Sequence, residues 1–298
     1  MATTLAGVQG VYRKVTAKYP AVGALRMNKI LFGNALPFRL NMTYWSHLRR
    51  CRRAFPSAAG LPAQAQAIAR QLREQGYAIF PPSDRALTAS IAERVAPLAA
   101  IGGVSGMGGV EDWMIQVPEC VKQVPEMFRL LRPEIVDAIE AYFRSHFKIY
   151  SAEIYRLVPT QQAMEASGLW HTDNYPPGIL KAMIYLTDCT RTNGALRVHP
   201  RPLTRRLLRA GFFDRHHTEP FAGRLASHHV PLEAPAGSVV LWDSNLIHRG
   251  TPPDEGLRDA IAFKFLPSTE PWTQHLARVG EGVTYERRIQ FPKDPSED

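Results

Sequence analysis

The sequence has little cysteine and no long apolar run. Its three cysteines stand far apart and form no CxxC pair, which excludes a disulfide scaffold and a cysteine-based zinc site. No stretch of about 18 uninterrupted apolar residues is present, so no transmembrane helix is predicted. No secretory signal is indicated either, because Arg13, Lys14 and Lys18 interrupt the early apolar positions. These absences favour a protein of a reducing compartment.

Acidic residues are absent from the first quarter of the chain. Residues 1–73 contain twelve lysines and arginines, and the first acidic residue is Glu74. This segment therefore carries a charge of +12, which leaves −3 for the rest of a chain whose total is +9. Apolar and aromatic side chains alternate with these cations at helical spacing, and a Pro/Ala/Gly-rich connector follows at 54–65. We therefore predict a basic helical N-terminal arm over residues 1–60.

Three interpretations of this arm are open from its composition. Its helices could pack against the catalytic domain with their charges solvated, or lie on an anionic membrane or partner. An acid-free start that contains arginine also resembles a mitochondrial presequence. The predicted location is cytoplasmic with peripheral membrane contact, and an organellar matrix is the alternative. No nucleic-acid partner is predicted, because no zinc-finger, helix-turn-helix or RNA-binding motif accompanies the charge. The sequence leaves the oligomeric state open.

The rest of the chain, residues 61–298, has the composition of a globular domain. Of all 298 residues, 45% are hydrophobic and 21% charged. Helical patterns come first and short β-rich runs follow, which favours a mainly β domain with flanking helices (α+β), built on a sandwich or barrel. Helices are predicted at 66–75, 84–99 and 122–146, and strands at 77–80, 113–117, 148–158, 182–188, 195–199, 237–243 and 260–266.

The chemistry-bearing residues lie in and beside these strands. His171 and Asp173 form an H-x-D motif, and His248 follows the 237–243 strand 75 positions after the aspartate. Two imidazoles and one carboxylate on one face of a metal are the ligand set of non-haem Fe(II) oxygenases, which leaves positions open for a co-substrate and O₂. Arg258, ten residues after His248, could pair bidentately with a carboxylate of a dicarboxylic co-substrate.

These motifs, together with N-G-A-L-R-V-H-P at 193–200, resemble the phytanoyl-CoA dioxygenase-like branch of the Fe(II)/2-oxoglutarate oxygenases. The resemblance covers residues 65–267. It implies a double-stranded β-helix (a jelly-roll or cupin-like barrel), iron ligands His171, Asp173 and His248, and a 2-oxoglutarate contact at Arg258. It also implies hydroxylation of a C–H bond with Fe(II), 2-oxoglutarate and O₂, and the aspartate argues against halogenation.

Other candidate residues surround this set. Alternation along the 148–158 strand predicts that Tyr155 points inward, where its hydroxyl could bond 2-oxoglutarate or simply fill the core. Asn174 and Tyr175, directly after the H-x-D motif, are candidate substrate contacts. Lys181 is expected to face solvent. The histidines at 216, 217, 228 and 229 are assigned to a long connecting loop rather than to a second metal site.

Two positions depart from the family pattern. A glycine-serine-histidine ending is replaced by residues 199–202, His-Pro-Arg-Pro. A hydroxyl-bearing residue is expected two positions after His248, where this chain has Gly250, and Thr251 comes next. Thr251 is therefore a candidate co-substrate contact.

The substrate is left open by the sequence. The basic arm makes a lipid-linked or acidic substrate attractive: an acyl-CoA, as the family name suggests, or a lipid-anchored acidic sugar such as the Kdo of lipopolysaccharide. The alternatives are a jelly-roll metal-binding or regulatory protein without oxygenase turnover, and a metal-dependent isomerase or lyase. Neither alternative accounts for Arg258.

Overall fold

The structure is a computed structural model of the chain, and it describes most of the residues after the basic arm. The described residues are 42–56, 60–101, 103–104, 112–173, 179–212, 215 and 218–279.

Helices surround the β core on the N-terminal side and recur near the end of the described chain. They are α1 Met42–Ala54, α2 Ala63–Glu74, α3 Arg85–Ala100, α4 Cys120–Gln123, α5 Pro133–Phe143, α6 Arg201–Arg209, α7 Ala222–Ala226 and α8 Trp272–Val279. Short 3-10 turns occupy Pro125–Leu130, Ala166–Gly168 and Glu219–Phe221.

The described strands form two antiparallel sheets, as expected of a jelly roll. The strands are β1 Tyr77–Phe80, β2 Gly103–Val104, β3 Met114–Gln116, β4 His146–Leu157, β5 Leu180–Tyr185, β6 Arg197–Val198, β7 Val230–Pro231, β8 Val239–Asp243, β9 His248–Arg249 and β10 Arg258–Ser268. The larger sheet has the order β1-β8-β5-β10-β4-β3-β2, and the smaller sheet has the order β7-β6-β9. The predicted sheet-rich core with flanking helices is confirmed.

The larger sheet has two differently used faces, because successive side chains alternate across a strand. Ile184 and Phe263 belong to the cluster that packs against α3 and α5. Met183 and Tyr185 point the other way, into a second cluster shared with Val198 of the smaller sheet. The interior between the two sheets is therefore the place where a site can form.

The start of the sheet-bearing region follows the sequence prediction closely. Strand β1 has the predicted bounds, and the Asp84 side chain caps α3 by accepting a hydrogen bond from the Leu87 amide at 2.8 Å. The β-rich runs also form strands, although several differ from the predicted bounds by a few residues.

The single helix predicted over 122–146 is wrong. The structure has α4, a 3-10 turn that starts at Pro125, and α5, which starts at Pro133. Proline has no amide hydrogen to continue a helix but is well suited to its first turn, so these prolines start new segments. Three further helices, α6, α7 and α8, form where no helix was predicted.

Helix α1, the described end of the basic arm, lies against the β core. Leu48, Cys51 and Phe55 are buried, and the His47 Nε2 atom is 3.1 Å from the Pro267 carbonyl oxygen at the end of β10. Arg52 and the arginine after it are exposed. In this part of the arm, the apolar face therefore packs against the core and the charged face is exposed to solvent. None of the helices in the described ranges is long and apolar enough to cross a bilayer.

A buried ion pair joins helix α6 to strand β8 of the larger sheet. Arg201 Nη2 lies 2.8 Å from Asp243 Oδ2 and donates to the Leu72 carbonyl in α2 at 3.0 Å. The Tyr142 hydroxyl donates to the same carboxylate oxygen at 3.3 Å. Asp243 is only 2% exposed, so the arginine that departs from the family pattern has a structural role.

We expect Asp243→Ala to lower the free energy of unfolding by about 3–5 kcal/mol, because it leaves the buried Arg201 guanidinium without its carboxylate. Urea denaturation measures this loss. The control is Glu126→Ala, which breaks an Arg94–Glu126 pair whose arginine side chain is 54% exposed and should cost less than about 1 kcal/mol. Equal losses in the two variants would contradict the assigned role.

Candidate metal centre and co-substrate pocket

Main-chain pairing brings the two predicted histidine ligands together. The His171 amide donates to the His248 carbonyl, the His248 amide donates to the His171 carbonyl, and both distances are 2.9 Å. His171, the first residue of the H-x-D motif, is thereby paired with β9 of the smaller sheet through an isolated bridge. The two imidazole ring centroids are 4.4 Å apart, so residues 77 positions apart in sequence present their rings side by side.

Asp173 completes the group. Its amide donates to the Ser244 carbonyl at 3.2 Å, and this bond turns the chain so that the carboxylate faces both rings. His171 Nε2 lies 3.6 Å from Asp173 Oδ1, and His248 Nε2 lies 3.7 Å from Asp173 Oδ2. One donor atom from each residue lies within 4.8 Å of the other two, which is a spacing that a metal ion can fill.

The tautomer of both rings is set by the main chain. His171 Nδ1 is 2.7 Å from the Leu169 carbonyl oxygen, and His248 Nδ1 is 2.8 Å from the Leu246 carbonyl oxygen. A carbonyl oxygen only accepts, so each Nδ1 carries a proton, and the neutral form of each ring has its lone pair on Nε2. Such an outer hydrogen bond is the usual way in which a ligand histidine is oriented.

The electrostatics also keep these groups in their ligand forms. Burial, helped by His171 and Lys181, lowers the pKa of His248 to about 3 despite the opposing effect of Asp173. Burial alone would raise the pKa of Asp173, but Lys181, His248 and His171 together hold it well below its usual range. Neutral imidazoles and an ionised carboxylate form the donor set of a divalent metal site.

Lys181 contradicts its sequence prediction. Its side chain is 15% exposed rather than solvated, and its Nζ lies 2.6 Å from Asp173 Oδ2. It belongs to the interior-facing set of β5, opposite Trp242 of β8, and its ammonium is 5.8 Å from the centroid of that indole ring. A cation therefore stands beside the predicted metal-binding carboxylate.

Arg258 is buried at the start of β10, 2% exposed, and faces the barrel interior. Its Nη1 donates to the Gly194 carbonyl, and the guanidinium lies 6.0 Å from the Tyr155 ring centroid and 5.8 Å from that of Tyr185. Its Nε is buried without a hydrogen-bond partner. Within the described parts of the chain, no carboxylate forms an ion pair with it.

Gly194 shapes the pocket around this arginine. Its φ is +97°, a conformation that side-chain-bearing residues rarely adopt, and a Cβ atom there would lie 2.7 Å from the Thr251 carbonyl oxygen. The predicted Thr192-Asn193-Gly194 turn therefore brings the main chains of Gly194 and Thr251 close together. The Thr251 Oγ1 atom is buried and has no hydrogen-bond partner.

The remaining candidate residues differ in outcome. Tyr155 points inward as predicted, and its hydroxyl lies 3.6 Å from Met183 Sδ; burial raises its pKa to about 12, although Arg258 opposes the shift. Asn174 and Tyr175 lie outside the described residues. Among the described residues, the one cluster of histidine, cysteine and acidic side chains spaced for a metal is the His171–Asp173–His248 group.

Gly250 explains the second departure from the family pattern. A Cβ atom at this position would lie 2.8 Å from the Trp113 ring, and Trp113 is 2% exposed. The Gly250 amide also donates to the Ser167 carbonyl at 2.8 Å. The indole thus occupies the space that a hydroxyl-bearing side chain would need.

Comparison with solved structures defines the class of the fold. The non-haem alpha-ketoglutarate-dependent carbocyclase SnoK from nogalamycin biosynthesis aligns with a TM-score of 0.52 and 21% identity, over 78% of this chain and 96% of that one. The epimerase SnoN in complex with Fe3+, alpha-ketoglutarate and nogalamycin RO gives 0.51 and 17%, over 69% and 84%. EctD from S. alaskensis with bound Fe gives 0.51 and 19%, over 74% and 80%. The fold is that of the Fe/2-oxoglutarate-dependent enzymes.

A family match then narrows this class. Residues 129–253 match the family model of phytanoyl-CoA dioxygenase (PhyH), a segment that contains all three residues of the candidate metal centre. This segment of the chain therefore carries a match to the PhyH family model, and the fold is similar to those of Fe/2-oxoglutarate-dependent enzymes; both findings support the resemblance found in the sequence. The comparison with curated proteins found no match.

We expect Gly250→Ala to lower the free energy of unfolding by about 1–3 kcal/mol, because the new methyl group overpacks the buried Trp113 ring. Thermal or urea denaturation of the metal-free protein measures the loss. Gly223→Ala is the matched control, since nothing lies within 4 Å of a Cβ at that position. The double variant Gly250→Ala/Trp113→Phe should lose less stability than the two single losses added together, and simple additivity would contradict the steric explanation.

Proposed function

We propose that this protein is a hydroxylase that uses Fe(II), 2-oxoglutarate and O₂ to oxidise a C–H bond of an organic substrate. The observation that carries the proposal is the His171–Asp173–His248 group, whose Nε2 lone pairs and carboxylate converge with donor atoms within 4.8 Å of one another. The family match and the fold are consistent with this chemistry.

The residues present fit the metal that the family implies. Two neutral imidazoles oriented by main-chain carbonyls and one ionised carboxylate are the donor types of the Fe(II) facial triad. When bound, iron supplies the activation of O₂ that is coupled to oxidative decarboxylation of 2-oxoglutarate. The role of the chain is to hold the donors, to orient the co-substrate and to keep water away from the reacting groups.

The chain also offers a site for a dicarboxylic co-substrate. A buried guanidinium without a carboxylate is costly, and the far carboxylate of 2-oxoglutarate would supply the missing charge at Arg258. Buried polar atoms without partners at Thr251 Oγ1 and Trp242 Nε1 offer further hydrogen bonds. We assign Arg258, Tyr155 and Thr251 to this pocket.

The donor set favours hydroxylation over halogenation. Asp173 occupies the position where halide-binding relatives would need a small residue, so the sequence supports oxidation over halogenation. Carbocyclisation and epimerisation occur in two proteins of similar fold. Both reactions would use the same iron and co-substrate. Binding of the cofactors therefore does not distinguish them from hydroxylation, whereas identification of the reaction product does.

The interior charges favour an acidic substrate. Lys264 of β10 is paired in register with Lys181 of β5, and its Nζ lies 3.1 Å from Glu153 Oε1. Together with Arg258, these lysines give the interior three cations against two carboxylates, those of Asp173 and Glu153, among the described residues. A divalent metal and dianionic 2-oxoglutarate would cancel each other, so the excess positive charge would remain available to a carboxylate or phosphate of the substrate.

Anaerobic titration with Fe(II) and then 2-oxoglutarate tests the assignment. We expect a visible charge-transfer band in the wild type. Asp173→Ala should weaken Fe(II) binding by more than about a hundredfold, because even outer contacts of metal ligands contribute 10–100-fold. Arg258→Gln should leave Fe(II) binding intact and weaken 2-oxoglutarate binding by about a hundredfold.

The controls for this titration are Asp254→Ala and Arg191→Gln, which remove an exposed carboxylate and an exposed guanidinium. Both should behave as wild type. Iron binding without the band would favour an isomerase, a lyase or a binding protein, and absence of iron binding would exclude the proposed centre.

We also propose that the basic arm brings the enzyme to an anionic, lipid-linked substrate. The full-length protein should float with phosphatidylglycerol vesicles at low salt but not with phosphatidylcholine vesicles, and less at high salt because ions screen surface charge. Replacing Arg13, Lys14 and Lys18 with glutamine should reduce flotation severalfold. An equal reduction when three exposed arginines of α6 are replaced (Arg205, Arg206 and Arg209) would mean that only net charge matters.

A further inference from the structure

A second cationic cluster lies on the opposite side of the strand that carries His248. Arg249 follows His248 in β9, so its side chain points away from the candidate metal centre. Arg197 of β6 is its direct cross-strand partner, just as Val198 is the partner of His248. The two arginines therefore form a pair on the outer face of the smaller sheet.

The arginine pair has no visible source of negative charge. Like charges directly opposite one another in a sheet repel, yet the Nε atoms of both guanidinium groups are buried without hydrogen-bond partners. Arg249 lies over the Trp170 ring at 5.1 Å from its centroid. Neither arginine forms an ion pair with an acidic side chain of the described residues. Two half-buried positive charges on directly paired residues are unfavourable unless an anion lies beside them.

Two histidines extend the cluster. The Trp170 ring centroid is 4.6 Å from that of His199 and 5.5 Å from that of His229. His199 is fully buried. Burial, followed by the charge of Arg197, lowers the pKa of His229. Two imidazoles and the Arg249 guanidinium thus lie around one indole ring.

We propose that this cluster, defined by Arg197, Arg249, His199, His229 and Trp170, binds a phosphate-type oxyanion. Two guanidinium groups provide planar, paired donors that match the oxygens of a phosphoryl group. A bound anion removes the repulsion between the arginines and supplies acceptors to their Nε atoms, which otherwise have none. The proposal is independent of the proposed function, because alternation along β9 places this cluster behind the metal centre, away from Arg258.

Phosphate binding to the full-length, metal-free protein tests the proposal. Isothermal titration calorimetry and thermal melting would be performed with inorganic phosphate at constant ionic strength, with chloride as the replacement anion. The wild type should bind phosphate and melt at a higher temperature in it than in chloride. Arg197→Gln and Arg249→Gln should each weaken binding by about tenfold or more, the effect of losing charge-assisted hydrogen bonds.

Three further variants make the result specific. Arg205→Gln removes an exposed arginine of α6 and should bind as wild type. Arg258→Gln should also retain binding, because that arginine lies in the barrel interior. Arg197→Lys keeps the charge without the planar donors and should give intermediate affinity. In chloride, both Arg→Gln variants at 197 and 249 should be at least as thermally stable as wild type, because the repulsion is gone.

Several outcomes would contradict the proposed phosphate site. Loss of phosphate binding only in Arg258→Gln, equal binding in all variants, or no binding in wild type would overturn the proposal. A less stable Arg197→Gln protein in chloride would also overturn it, because the arginine would then be needed for folding rather than for an anion. If methyl phosphate binds as tightly as phosphate, the site accepts a phosphoryl group carried by a larger molecule; preference for inorganic phosphate identifies the free ion as the ligand.

Discussion

The candidate metal centre depends on the pair of main-chain hydrogen bonds between His171 and His248. These bonds place both imidazoles on one side of the smaller sheet, and each ring is then fixed by a carbonyl two residues earlier in its own segment. Asp173 is likewise positioned through its amide. Because main-chain atoms do this work, the surrounding side chains can change widely.

Much of the fold and the three-residue centre could be predicted from the sequence, because they depend on local patterns and on a short motif. The behaviour of Lys181 could not. Alternation assigns a residue to one face of a strand but does not say whether that face is covered, and a lysine is ordinarily placed in solvent. Here the second sheet encloses that face, and Asp173 compensates the buried charge. The break in the 122–146 helix had a visible signal in Pro125 and Pro133, but the continuous apolar periodicity outweighed it.

The two departures from the family pattern have physical explanations that do not involve the metal. Arg201 follows the altered turn and joins α2 and α6 to β8 through the buried Asp243 carboxylate. Gly250 makes room for the Trp113 ring. Arg201 therefore serves an ion pair, and Gly250 serves packing. The proposed co-substrate pocket does not involve either residue: Arg258 donates to the Gly194 carbonyl, and Gly194 lies against the Thr251 main chain.

The smaller sheet has a different electrostatic role on each face. His248 contributes to the interior, where a carboxylate and a metal would balance charge, whereas its neighbour Arg249 contributes to the outer cluster. A shift of one residue in the pairing of β6 with β9 would exchange these faces and place a guanidinium where the imidazole stands. The reciprocal bonds to His171 oppose such a shift. Register in this two-residue strand therefore determines both sites at once, and an anion on the outer face would stabilise the same pairing that assembles the metal centre.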